Sequence, residues 1–304
     1  MGNKIKIYLV KIVAVLATLL SMLVYNLSKP IAGIKVLKNI KYKDKGTRYN
    51  KFDIYYKKGN IESEGNVPVI IYFHGGGWVS YSKNICTTLN RRMSDLGYLV
   101  FSCNYRLSPK VKMEDIIDDA ICAMKKASDM AAQFCGDNKK IIIAGDSAGA
   151  HIAAMMMALT SAGDGRLIDF RQRIKALVLF YGVFNLSTAL ESRFSNIKTY
   201  ISAAISAELD TAEGIEEMKK YSPACYDLTK FSPCFIASGE VDKLHKSQSF
   251  AFGELLKQNG VQTKEVFFDD KEYKAMHAFM AVDGISTSMT VLKELEKFLL
   301  ENVK

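Results

Sequence analysis

Five prolines, one tryptophan and four histidines among 304 residues are the scarcities that shape this chain. So few prolines exclude a polyproline or collagen-like scaffold and leave long stretches open to strands and helices. The six cysteines show no C-x-x-C spacing, which argues against a structural zinc site or a dithiol redox pair. Cys103 falls in an expected strand and Cys122 in an expected helix, where each would pack as a small hydrophobe. No internal repeat or low-complexity tract is present, so solenoid and linker-like architectures are excluded. With four histidines, any general base comes from a very short list.

Cationic surplus is also missing from most of the chain. The net charge is +9, and residues 1–50 hold ten Lys and Arg side chains against Asp44 alone, so residues 51–304 are neutral overall. A global field able to attract nucleic acid is therefore absent from the larger part, and no nucleic-acid partner is expected. The basic stub surrounds an apolar run, Ile12 to Leu27, extended to Ile7 if Lys11 snorkels toward headgroups. Roughly twenty residues rising ~1.5 Å each would span a hydrocarbon core of ~30 Å. Residues 1–28 are read as an uncleaved membrane-anchor helix and 29–50 as a basic juxtamembrane linker. The rivals are a cleavable signal peptide, giving a secreted form, and a buried N-terminal helix. The only cleavage-site candidates are Ser28-Lys29-Pro30 and Ile31-Ala32-Gly33, neither convincing. The myristoylation pattern fails at Lys6. Counting flanking lysines puts the domain on the cytoplasmic side. A short basic lead into an apolar segment nevertheless looks like an export signal, and the adopted reading is a single-pass, extracytoplasmic domain. The basic stretch would then lie on anionic headgroups.

Against these absences stands Gly145-Asp146-Ser147-Ala148-Gly149. The preceding Ile141-Ile142-Ile143-Ala144 reads as a buried parallel strand, and Ala150 to Leu159 as a helix. A serine on so sharp a strand-to-helix turn has its hydroxyl thrust out at the carboxyl edge of the sheet, and small neighbours permit the close approach. A second buried run, Pro68 to Phe73, ends in His74-Gly75-Gly76-Gly77-Trp78. Three consecutive glycines are entropically costly, so their bare amides need a use. A phosphate cradle would call for a following Lys-Ser/Thr or a G-x-G-x-x-G spacing, and neither occurs. An oxyanion hole built from the Gly75, Gly76 and Ala148 amides is the better reading.

The base follows by elimination. His74 braces the glycine loop, His151 lies on the serine's own helix as a packed residue, and His245 reads as a solvated helix-start side chain. That leaves His277, after the expected last strand Thr263 to Phe268, since an imidazole supplies a base near neutrality without tuning. Pro233 to Ser238 is the preceding strand, and Asp242 in the loop after it is chosen to orient His277, with Glu240 as fallback. Asp269 and Asp270 are expected to cap a strand end.

Strand-like runs at Lys51–Tyr56, Val67–Phe73, Tyr98–Asn104 and Ile174–Tyr181 alternate with helices at Thr87–Gly97 and Glu114–Phe134, a doubly wound α/β pattern. Residues 51–304 are taken as one domain. Between 185 and 231 the alternation breaks into mixed-polarity helical sequence carrying Phe194, Tyr200, Ile201, Ile205 and Tyr221. It is read as a cap insertion over an acyl pocket, or else a surface helix pair. Arg106 is read as a structural ion-pair residue for Asp118 or Asp119.

From Lys51 onward the chain resembles the α/β-hydrolases of the hormone-sensitive-lipase-like carboxylesterase group, and is similar to the feruloyl and acetyl-xylan esterase branch. The resemblance rests on HGGGW at 74–78, NYRLSP at 104–109, GDSAGAH at 145–151, SGEVDKL at 238–244 and MHAF at 276–279. It implies the order Ser147, Asp242, His277 for the catalytic residues, a mostly parallel eight-stranded sheet, an acyl-serine intermediate and no cofactor or metal. A small-molecule or lipid ester would be the substrate. Two departures stand out: Asp242-Lys243-Leu244 replaces the usual Asp-Pro-Leu, and no glycine lies just upstream of His277. An arylformamidase or other amidase would use the same site. A hydrolase-fold binding protein would ordinarily have lost one of the three residues.

Overall fold

Residues that alternate between two apolar environments set the architecture. The computed structural model describes residues 30–59 and 66–304. Its strands are β1 (Ile34–Lys41), β2 (Lys51–Lys57), β3 (Val67–Phe73), β4 (Leu99–Cys103), β5 (Gly136–Asp146), β6 (Ile174–Phe180), β7 (Cys234–Gly239) and β8 (Thr263–Phe268). They form one sheet in the order β1-β2-β4-β3-β5-β6-β7-β8. β2 runs antiparallel to both of its neighbours, and every later pairing is parallel. The expected α/β-hydrolase sheet, eight-stranded and mostly parallel, is therefore present.

Parallel strands need helical crossovers, and these cover both faces. Val69, Ile71 and Phe73 of β3 and Ile141 and Ile143 of β5 point into one core. That core is shared with α2 (Met113–Ala131) and α3 (Ala148–Ser161). Ile70, Tyr72, Ile142 and Ala144 point the other way, onto α1 (Thr87–Asp95) and α8 (Ser286–Asn302). α3 is apolar on nearly all sides and almost wholly buried, as a helix enclosed between sheet and outer layer must be. Three helices, α4 (Leu186–Glu191), α5 (Ile197–Ala204) and α6 (Ala212–Lys220), occupy the stretch read as a cap, and α7 (Ala251–Gln258) follows β7.

Two readings need amendment. Residues 34–41, expected within a basic linker, form the edge strand β1. Its lysines point outward while Ile34, Val36 and Ile40 are half-buried, an alternation that the charge run conceals. β5 also begins at Gly136, well before the apolar run, its polar first half lying mostly half-buried ahead of the core segment. The expected membrane anchor, residues 1–28, lies outside the described residues. Among the described residues, no helix is long and apolar enough to cross a membrane.

Register brings the functional loops together. Phe73 pairs with Gly145, Asp146 with Phe180, Phe180 with Ala237, and Gly239 with Phe268. The carboxyl ends of β3, β5, β6, β7 and β8 thus finish along one edge, where open α/β sheets bind ligands. At β5 the chain turns back on itself so tightly that a Cβ on Gly149 would overlap the Phe73 carbonyl oxygen, and one on Gly145 would overlap the Gly149 backbone. Gly149→Ala is expected to lower unfolding free energy by about 1–3 kcal/mol, as overpacking does, measured by urea denaturation. An unchanged midpoint would contradict this contact.

Candidate active site

Ser147 joins β5 to α3 with φ 52° and ψ −119°, a backbone region that side-chain-bearing residues avoid. Such a conformation costs on the order of 1–3 kcal/mol and persists only where neighbours over-determine it. Here the Ser147 amide donates to the Phe180 carbonyl at 2.9 Å, and its carbonyl accepts from the His151 amide at 3.1 Å. The hydroxyl is left at the carboxyl edge of the sheet.

His277 arrives from the loop after β8. Ala275 packs so closely against Gly239 that a Cβ there would lie 2.5 Å from the Ala275 Cβ. The missing upstream glycine is thus offset by a glycine on the opposing strand. Ala278 takes φ 70°, turning the chain directly after the imidazole. His277 Nε2 lies 2.9 Å from Ser147 Oγ, and Nδ1 lies 2.6 Å from Asp242 Oδ2. An ionised carboxylate only accepts, so Nδ1 carries the proton and Nε2 accepts from the hydroxyl. Asp242 is buried, and its other oxygen takes the Leu244 amide at 3.0 Å. The rings of Tyr181 and Phe194 stand edge-on to the imidazole at 5.1 and 4.7 Å. Glu240, the fallback, is exposed and outside this line. Asp269 and Asp270 are exposed as well, Asp269 accepting the Lys271 amide at 3.1 Å at the strand end.

The expected oxyanion donors require one correction. The Gly75 amide donates to Asp146 Oδ1 at 3.0 Å, an oxygen that also accepts the Tyr72 hydroxyl at 2.9 Å. Gly75 is therefore spent on tying its loop to the residue before the serine. Gly76, Gly77 and Ala148 line the cavity, and the amides of Gly76 and Gly77 have no acceptor among the described residues. Ala148 opens its helix, so its amide has no intrahelical partner either. The sequence holds only a faint sign of this shift: an acid inside so apolar a turn needs buried donors. Burial raises the Asp146 carboxyl above its ordinary range, while the Tyr72, Cys86 and Gly75 donors oppose that rise.

The remaining histidines are buried. His74 holds the Gly75 carbonyl at 2.7 Å through Nδ1 and stacks on Tyr105, bracing the glycine loop as expected. His151 accepts from Trp78 Nε1 at 3.2 Å and meets the Tyr221 carbonyl at 2.7 Å. His245 overturns its reading as a solvated side chain: it is buried, 2.7 Å from Ser238 Oγ, with the Phe267 ring against it. Arg106 takes Asp119 through two nitrogens at 2.8 and 3.0 Å and also reaches Asp115, whereas Asp118 pairs with Arg166. Among the described residues, no cluster of His, Cys, Asp or Glu could hold a metal ion.

Above Ser147 and His277 lies a cavity of about 200 Å³ whose walls include Ile85, Val183, Phe194, Ile197, Tyr200 and Leu244. Among the described residues, no Lys or Arg side chain lines it.

A sheet of this order, with a strained serine between a central strand and the next helix, is the architecture of an α/β hydrolase. Residues 70–281 match the family model described as alpha/beta hydrolase fold, and the chain belongs to that family. It is similar to the "Probable isoprenylcysteine alpha-carbonyl methylesterase" of Oryza sativa subsp. japonica, 28% identical over 237 residues, covering 74% of this chain and 54% of that protein. It is also similar to carboxylesterase NlhH of Mycobacterium tuberculosis, 29% identical over 209 residues, covering 66% of this chain and 63% of that one. Esterase LipQ of the same species is 31% identical over 226 residues, with 72% and 52% covered. The chain thus spans about half to under two thirds of the length of these relatives. Esterase B of Lactobacillus rhamnosis superposes with a TM-score of 0.82 over 98% of this chain and 96% of that one, at 18% identity, a likeness of fold.

Burial pushes His74 and His151 each down to about 4 from 6.5. The unfolded chain takes up these protons as pH falls through 6.5, and the folded chain only near 4. The stability that these two neutral imidazoles contribute is therefore fully present above 6.5 and drains away between 6.5 and 4. His151→Gln retains a donor and an acceptor, and is expected to shallow that decline by up to one proton's slope in denaturation measured against pH. Identical slopes would contradict the assignment.

Proposed function

We propose that the protein is a serine carboxylesterase that cleaves neutral carboxylic esters through an acyl-serine intermediate. The carrying observation is the continuous line from Asp242 through His277 to Ser147, with contacts of 2.6 and 2.9 Å. In this mechanism His277 Nε2 takes the Ser147 proton as Oγ attacks the ester carbonyl. The amides of Gly76, Gly77 and Ala148 hold the tetrahedral oxyanion, and Asp242 stabilises the imidazolium. Collapse expels the alcohol, which takes its proton from His277. A water activated by the same imidazole then releases the acid.

The apolar walls, free of Lys and Arg among the described residues, favour an uncharged acyl or aryl group over one bearing a carboxylate. The names of the sequence relatives, a methylesterase, a carboxylesterase and an esterase, support ester over amide chemistry. The proposal also keeps residues 1–28 as a single-pass anchor with the domain outside the cytoplasm, supported by the apolar run Ile12 to Leu27. Protease added to intact cells would then degrade the domain, and full protection would contradict this orientation.

Ser147→Ala is expected to abolish both aryl-ester turnover and labelling by a fluorophosphonate probe, with the fold retained by circular dichroism. Asp242→Asn is expected to lower kcat by ~10⁴, the scale seen when the imidazole loses its correct tautomer. Persistent labelling of the serine variant would overturn the assignment.

A further inference from the structure

We propose that Lys112 is a positioning residue that sets the depth of the acyl pocket by fastening α5 across it. The inference rests on the esterase reading and extends it to which acyl groups fit. Lys112 immediately precedes α2, and its ammonium donates to the carbonyls of Ile205 at 2.7 Å and Ala203 at 3.2 Å. Those carbonyls end α5, where the helix leaves acceptors unsatisfied and the negative end of its dipole favours a cation.

The near side of this clamp is itself rigid. The Lys112 amide donates to Asp115 Oδ2 at 3.1 Å, and Asp115 is paired with Arg106, which is bidentate on the buried Asp119. The far side carries the pocket wall. Ile197 and Tyr200 of α5 both line the cavity above Ser147. The Tyr200 ring also presses on the glycine loop: a Cβ on Gly77 would lie 2.8 Å from Tyr200 Cγ. At its other end α5 begins at Asn196 with φ 62° and no side-chain cap. Burial of Ile197, Ile201 and Ile205 keeps the helix on the domain. The ammonium therefore fixes where α5 sits, not whether it docks.

The test measures kcat/KM of the full-length protein on p-nitrophenyl esters of graded chain length, with the fluorophosphonate probe counting competent sites. Lys112→Met frees the wall to recede. Its hexanoate-to-acetate ratio should rise by about tenfold, the scale of one methylene in a hydrophobic pocket. Lys112→Arg preserves the cation and should stay near the wild-type ratio. Tyr200→Leu, which trims the same wall without touching the clamp, should widen the pocket too, and adding it to Lys112→Met should give less than the product of the two effects. An unchanged ratio in Lys112→Met, or an equal loss at every chain length with a lowered melting temperature, would overturn the inference. Wild-type protein that neither labels nor hydrolyses any ester would sink the esterase reading itself, a separate outcome.

Discussion

The architecture depends on one backbone contact, the place where β5 turns into α3 with no room for a side chain between them. Gly145 and Gly149 let the two backbones touch, and Gly149 in turn abuts the end of β3. This compression forces Ser147 into its positive φ and aims the hydroxyl out of the sheet. Asp146 then fastens the glycine loop from β3 through the Gly75 amide, so the Ser147 hydroxyl and the glycine loop are held by a single junction. Strain at the serine is tolerated because two apolar cores, one on each face of the sheet, fix β5 from both sides.

Around this junction the four histidines divide their work by environment. His74 and His151 lie wholly within the protein, where desolvation keeps them neutral and each ties one segment to another. His245 secures the turn bearing Asp242, its amide donating to the Asp242 carbonyl at 2.9 Å. Only His277 borders the cavity, with its side chain 20% exposed. Its position, open to the cavity on one side and held by the buried Asp242 carboxylate on the other, is what the proposed proton transfer requires.

Much of this was legible in the residues because it depends on local patterns. Short continuous apolar runs marked β3, β5 and β6, and the small residues flanking Ser147 marked the turn. His277 and Asp242 emerged from the order of strands and the scarcity of histidine. What escaped notice depends on contacts between distant segments. The spending of the Gly75 amide follows from Asp146 lying beneath a loop 71 residues earlier. His245 looked solvated because polar neighbours surround it in sequence, whereas Phe267 and Ser238 cover it in space. β1 was hidden by its own lysines, since a charged edge strand reads much like a linker.

The central claim is that the Ser147 hydroxyl carries the acyl group during turnover. It is tested most directly by acid-quenching the protein within milliseconds of mixing with excess aryl ester and mapping the adduct by peptide mass spectrometry. The account predicts a mass gain equal to the acyl group on the peptide containing Ser147. Rapid turnover with that peptide unmodified, or with the acyl group on a different residue, would contradict it.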